Sequence, residues 1–308
     1  LLRSGSQTEG LKKLLHHLSG DNKLYEQIKW FDGDVLDVPS LEAAIESADH
    51  IYHCAAVVSY NKRRRTEMYR VNVEGTTNVV NTAIQKQGIS LCHISSIAAL
   101  GRKANHDVLD EHAEWQHSEL NTHYGITKNL SENEVWRGME EGLDALIVNP
   151  GLIVGPGDPS RSSIAIFEKL HSGFSYYPDG STGMISARDC AAFCIQEMEL
   201  KRFGERTVAV SEEIVLKELF DWICEALGRN AANKKPSNVE MQFARYAEWI
   251  KQLITGKDAL VTKETLMNSK LNFHYNNQKF QERFSNPQTI RSAVLDTVNF
   301  LRAAYGWN

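Results

Sequence analysis

The run His93-Ile94-Ser95-Ser96-Ile97-Ala98-Ala99-Leu100-Gly101, followed further on by Tyr124-Gly125-Ile126-Thr127-Lys128, decides the fold of this chain. Ile89 to Ser95 reads as a strand that ends on a serine pair. Tyr124 and Lys128 are four apart, so on a helix they share one face a turn apart. An ammonium near a phenol favours the phenolate, and a hydroxyl whose ordinary pKa is about 10 can then exchange a proton with a substrate oxygen. A serine hydroxyl at the strand end would hold the same oxygen. The spacing alone also suits an exposed helix face, so the rest of the chain decides between the two readings.

Upstream, Leu1 to Ser6 reads as a strand end entering a turn, and Leu11, Leu14, Leu15 and Leu18 recur at helical spacing. Trp30 to Val35 reads as a short strand. Pro39-Ser40 caps a helix through Ala48, with Glu42 in its first turn, and Ile51 to Ala56 is an apolar run of buried-strand type. A helix from about Val71 to Lys86 precedes the Ile89 strand. The Tyr124 helix runs to about Glu141, where Gly142 closes it; a strand follows at Ala145 to Asn149, then a loop from Pro150 to Asp158. This alternation predicts an α/β fold, a doubly wound parallel sheet with helices on both faces.

Beyond Pro159 the elements shorten. Arg206 to Val210 reads as a strand. Three apolar stripes recur at helical spacing: Leu216, Leu219, Phe220, Ile223 and Leu227; Val239, Phe243, Tyr246, Ile250 and Leu253; and Ile290, Val294, Val298 and Leu301. The division expected is a sheet domain over 1–158 and a smaller C-terminal lobe over 159–308, part of which returns to the main sheet.

With 308 residues and 42% hydrophobic content the chain can bury a full core without a staple. A net charge of −5 with mixed signs argues against nucleic acid or a polybasic membrane surface as partner. The five cysteines are odd in number and lie mostly in apolar runs. Cys190 and Cys194 could share a helix face, but no Cys or His cluster of zinc spacing surrounds them, so no metal is expected. No apolar run has the length of a membrane span and no signal pattern is seen, which makes a reduced, cytoplasmic protein the expectation.

Taken together, Ser-Ser-Ile-Ala-Ala-Leu-Gly and Tyr-x-x-x-Lys resemble the extended short-chain dehydrogenase/reductase family, also called the NAD-dependent epimerase/dehydratase family, in its dihydroflavonol reductase and 3β-hydroxysteroid dehydrogenase-like branch. The resemblance implies a Rossmann-type NAD(P)-binding domain with a substrate-binding lobe. It makes Ser96, five residues before Gly101, the catalytic serine, with Tyr124 as acid/base and Lys128 lowering the tyrosine pKa and holding the nicotinamide ribose.

Further stretches carry the same resemblance. Gly33-Asp34-Val35 matches the segment that sets an aspartate against the adenine, and His53-Cys54-Ala55-Ala56, running on to Val57, matches His-x-Ala-Ala at a strand end. Asn72-Val73-Glu74-Gly75-Thr76 matches Asn-x-x-Gly-Thr, whose asparagine supports the site. Pro150, Gly151, Leu152 and Ile153 match a segment whose backbone meets the nicotinamide carboxamide, and Ser95 joins the implied cofactor contacts. Each stretch has a plainer reading, as loop glycine, core alanines or helix cap. The expected glycine-rich phosphate loop is absent, and the first residues read as the end of a second strand, so the first βα unit is expected to be missing from the chain. Arg3 and Ser4 stand where NAD-using relatives carry an acid, which favours NADP over NAD.

The reaction implied is hydride transfer with a small-molecule carbonyl or alcohol. Ile97 and Ala98 follow Ser96 where dehydratases of the family place an acidic pair. Sugar-nucleotide epimerisation is the alternative enzyme reading and a non-catalytic dinucleotide-binding protein a third. Relatives commonly pair through the helices around Asn72 and Tyr124, which implies a homodimer.

Overall fold

The structure, a computed structural model, describes residues 1–102, 108–160, 162–235, 237, 240 and 271–308. The stripe Val239, Phe243, Tyr246, Ile250 and Leu253 lies outside the described residues.

Leu2 and Asp32 form a parallel bridge, with the Leu2 N–H on the Phe31 carbonyl at 2.7 Å and the Gly33 N–H on the Leu2 carbonyl at 3.0 Å. This single bridge is all that forms of the strand expected at Trp30–Val35. Between its two sides run helices α1 (Glu9–Ser19) and α2 (Lys23–Glu26). Helix α3 (Val38–Ile45) starts with Pro39 in its first turn, where a missing N–H does no harm. Ser40 does not cap it. Its hydroxyl accepts the Asp34 N–H at 3.1 Å and donates to the Asp37 carbonyl at 2.8 Å, tightening the turn that enters the helix.

The main sheet consists of β1 (His50–His53), β2 (Ser90–Ile94), β4 (Asp144–Pro150) and β7 (Glu205–Ala209), side by side in that order and all parallel. The remaining strands are β3 (Val108–Leu109), β5 (Leu152–Val154), β6 (Ser181–Ser186), β8 (Glu212–Val215) and β9 (His274–Tyr275). Because β1 lies at the sheet edge, Ile51 is half-buried and Tyr52 exposed, so the run expected to be buried is covered on one side only.

A helical body from Arg65 to Lys86 connects β1 to β2. It comprises α4 (Arg65–Tyr69), a π turn over Arg70–Glu74 and α5 (Gly75–Lys86), and so begins well before Val71. Helix α6 (His123–Glu140) lies beside α5. Side chains alternate along the central strands, as the pleat demands. Leu91, Ala145 and Ile147 face Val79, Val80, Ala83 and Val135 of α5 and α6. Cys92, Leu146 and Val148 face the opposite layer of α8 (Ala187–Glu199) and α10 (Gln278–Arg283) through Phe193, Cys194 and Phe280. Helices therefore cover both faces of a parallel sheet, as in a Rossmann-type fold.

The segment expected as a loop after Pro150 contains strand β5. It pairs in parallel with β6, which pairs antiparallel with β8. Gly151 makes the crossing possible: a Cβ there would stand 2.4 Å from the Gly183 carbonyl oxygen. Helices α7 (Ala165–His171), α9 (Leu216–Leu227) and α11 (Ile290–Tyr305) close a second core over this small sheet, from Phe167, Leu170, Leu219, Ile223, Val294 and Leu301. Strand β3 pairs with β9 near the carboxyl ends of the main strands.

Candidate active site

The carboxyl ends of β1, β2 and β4 open on one edge of the sheet, and the chain places its hydroxyl groups there. Ser96 follows β2 in extended backbone, and its Oγ accepts the Ala98 N–H at 3.2 Å, starting a 3₁₀ turn over Ile97–Leu100. Thr122 caps α6 by accepting the Gly125 N–H at 3.0 Å. Helix and turn then meet at Gly125, where a Cβ would lie 2.7 Å from the Ala98 carbonyl oxygen, so only glycine allows this approach. Asn129 Nδ2 donates to the Ala99 carbonyl at 3.2 Å and holds the contact. Tyr124 is thereby brought beside Ser96. Burial pushes the Tyr124 phenol up to about 12; the nearby Ser96 hydroxyl opposes that rise, and Tyr60 adds to it.

Lys128 departs from the expectation. Spacing alone sets its ammonium beside the phenol, but the side chain runs inward and is 2% exposed. Its Nζ donates to the Ile94 carbonyl at 2.7 Å and lies 3.4 Å from His93 Nε2. Among the described residues no hydrogen bond joins it to Tyr124. Burial draws Lys128 down to about 8, against the opposing charge of Glu132. The physical reason for the departure is the open Ile94 carbonyl at the end of β2, an acceptor that a long cation on this face of α6 can reach.

Two buried histidines lie behind the lysine, their rings 5.3 Å apart. His53 Nε2 meets Thr76 Oγ1 at 2.9 Å and His93 Nε2 meets Ser131 Oγ at 3.3 Å. Burial, and then the Lys128 charge, hold His53 down to about 3 and His93 well below the ordinary histidine range. His93 Nδ1 and Asn149 Oδ1 have no hydrogen-bond partner among the described residues.

The expected cofactor residues divide into two sets. Ala55 and Ala56 are exposed and Val57 half-buried beyond the end of β1. Asp34 is half-buried, its Oδ1 accepting the Leu36 N–H at 3.0 Å, and the Leu2–Asp32 bridge brings exposed Arg3 and Ser4 alongside this turn. Leu152 and Ile153 are half-buried within β5.

The second set is buried, its side chains taken up by the protein itself. Val35 packs in the core, and Pro150 and Gly151 are covered. Asn72, in the π turn, accepts the Val57 N–H at 2.7 Å and donates to the Val57 carbonyl at 3.0 Å and to Thr127 Oγ1 at 2.9 Å. Asn72 therefore ties the loop after β1 to the helix of Tyr124. The Ser95 hydroxyl points inward to Glu132.

Glu132 is the residue the sequence reading passed over. It stands four after Lys128, so Tyr-x-x-x-Lys-x-x-x-Glu on one helix face was the available signal. Cys190 and Cys194 share a face of α8, as their spacing predicts, and both are buried free thiols.

The family model for an NAD-binding family described as male sterility protein matches residues 2–194. Sterol demethylase protein B of Methylococcus capsulatus is 32% identical over 198 residues, a match that covers 64% of this chain and 60% of that protein. The chain thus spans about three fifths of that relative's length. A Synechocystis sp. protein with a provisional dihydroflavonol 4-reductase name is 27% identical over 314 residues, covering 98% of this chain and 89% of its own length. The crystal structure of gox2253 superposes with a TM-score of 0.75 at 25% identity, over 98% of this chain and 89% of that one.

Proposed function

This chain belongs to the NAD-binding male sterility protein family, within the extended short-chain dehydrogenases/reductases, and we propose that it is an NAD(P)-dependent oxidoreductase acting on a small carbonyl or alcohol. The Tyr124 and Ser96 hydroxyls, brought together at the strand ends where helix and turn meet at Gly125, carry this reading. The phenol gives its proton to the oxygen of a ketone or aldehyde, or as the phenolate takes one from an alcohol, and Ser96 donates a hydrogen bond to that oxygen. The backbone already holds the two residues side by side, so less ordering remains when a substrate arrives.

The open sheet edge suits a dinucleotide. Ala55 and Ala56 are exposed and carry only methyl groups, which leaves the backbone there open to close approach. Asp34 would meet the adenine, and Leu152 and Ile153 the nicotinamide end. When bound, such a cofactor supplies or accepts the hydride. Arg3 and Ser4, exposed beside the Asp34 turn, favour NADP, because a guanidinium grips a 2′-phosphate that an acid would repel. Residues 159–308 supply the substrate side through the small sheet and its core. We further read the protein as a cytoplasmic homodimer pairing through α5 and α6, which lie against each other; the five free thiols suit a reducing compartment.

The test is equilibrium titration with NADPH and NADH, followed by NADPH consumption with dihydroquercetin and cinnamaldehyde as carbonyl probes. Tight NADPH binding and probe turnover that Tyr124→Phe abolishes is the expected result. Undiminished turnover in Tyr124→Phe would remove the proton-transfer assignment.

A further inference from the structure

Glu132 is fully buried, and the partners of its carboxylate come from three adjacent strands of the main sheet. Ser95 Oγ, at the end of β2, donates to Oε1. Asn149 Nδ2, on β4, donates to the same oxygen at 2.5 Å, and Arg206 Nη1, on β7, donates to Oε2 at 3.2 Å. Asn149 Nδ2 also donates to the Ser96 carbonyl at 2.9 Å. The strand end that presents Ser96 is therefore held twice, once through the neighbouring hydroxyl and once through its own carbonyl, and both arms lead to Glu132.

A buried carboxylate is costly unless paired and fully hydrogen-bonded. Arg206 supplies the counter-charge, and Ser95 and Asn149 supply the remaining hydrogen bonds. The further partners are what point to the site: two of them adjoin or hold Ser96, and Lys128 stands one helical turn away.

We propose that Glu132 is a positioning residue of this site, whose buried carboxylate pins the strand ends carrying Ser96 and Asn149. The inference rests on the reading of Ser96 and Tyr124 given above. The charged and titratable groups around the pair come from every packed element: Arg206 from β7, His93 from β2, His53 and Cys54 from β1 and its end. Burial pushes Glu132 above the ordinary carboxyl range, and its bond from Ser95, the Arg206 charge and the bond from Asn149 oppose this. Lys128, drawn down by its own burial, is held up chiefly by Glu132. Removing that one charge therefore moves Lys128 further down.

The experiment follows Lys128 by NMR of the intact protein labelled with 13Cε-lysine, its signal assigned by its loss in Lys128→Met, alongside NADPH-dependent reduction of dihydroquercetin. In Glu132→Gln the Lys128 midpoint is expected to fall by about one pH unit. kcat falls roughly 10- to 100-fold while KM stays within about twofold, because orientation and not binding is lost. Glu132→Asp keeps the charge but draws it back by one methylene, and shifts the midpoint by only a few tenths of a unit; it carries the test if the glutamine variant does not fold. A Lys128 midpoint unmoved in both variants overturns the proposal, as does a kcat equal to wild type. If the wild-type protein reduces no probe, the functional reading fails, and the lysine titration still decides whether Glu132 controls Lys128.

Discussion

On the first turn of α6, Tyr124 stays half-buried beside Ser96, whereas on the next two turns Lys128 and Glu132 are 2% and 0% exposed. All three share one helix face at a spacing of four, yet one side chain opens on the sheet edge and two turn under it. Spacing decides which residues share a face, but the acceptors and donors of the neighbouring strand ends decide where a long side chain goes. The tyrosine stays at the sheet edge beside Ser96, and the two residues below it belong to the foundation.

If that contrast holds, Tyr124→Phe lowers kcat by roughly 10²- to 10⁴-fold without moving the urea midpoint, since the ring stays and only an edge hydroxyl is lost. A variant that unfolds earlier would place Tyr124 in the foundation after all. Asn72→Ala tests the opposite pole. It strips hydrogen bonds from Val57 and Thr127 in a buried setting and is expected to cost about 1–3 kcal/mol in equilibrium unfolding. A further test comes from pH. His53 sits at about 3 when folded, through burial and then Lys128, against an ordinary 6.5 when unfolded. As pH falls below 6.5 the unfolded chain binds the proton first, so the stabilising contribution is complete above 6.5 and lost on the way down to about 3. Thermal melts over that range should show the slope, and His53→Gln, which can still hydrogen-bond Thr76, should flatten it.

The strands of the main sheet are legible because Ile89–Ser95 and Ala145–Asn149 are mostly apolar, as two covered faces require. The meeting of Ser96 with Tyr124 is legible from the motif pair. Strand β5 is not, because three apolar residues among prolines and glycines read as a loop until β6, far along the chain, pairs with them. The foundation is equally hidden. A lone glutamate on a helix reads as a solvated face, and what buries Glu132 is supplied by Ser95, Asn149 and Arg206, distant in sequence and brought together only by the sheet register. The inward course of Lys128 depends on one backbone carbonyl, which no side-chain pattern reports.

The π turn over Arg70–Glu74 sets a constraint on chain length. A π turn holds one residue more than an α-helix needs, and here it carries buried Asn72 with buried Met68 one turn upstream. Losing a single residue between Arg70 and Glu74 would leave a more regular helix, yet rotate everything before it by about 100° relative to α5. In-frame deletions are therefore least tolerated where the helix is least ideal, and a lineage that shortened this turn would have to re-anchor the loop at Val57 by other means.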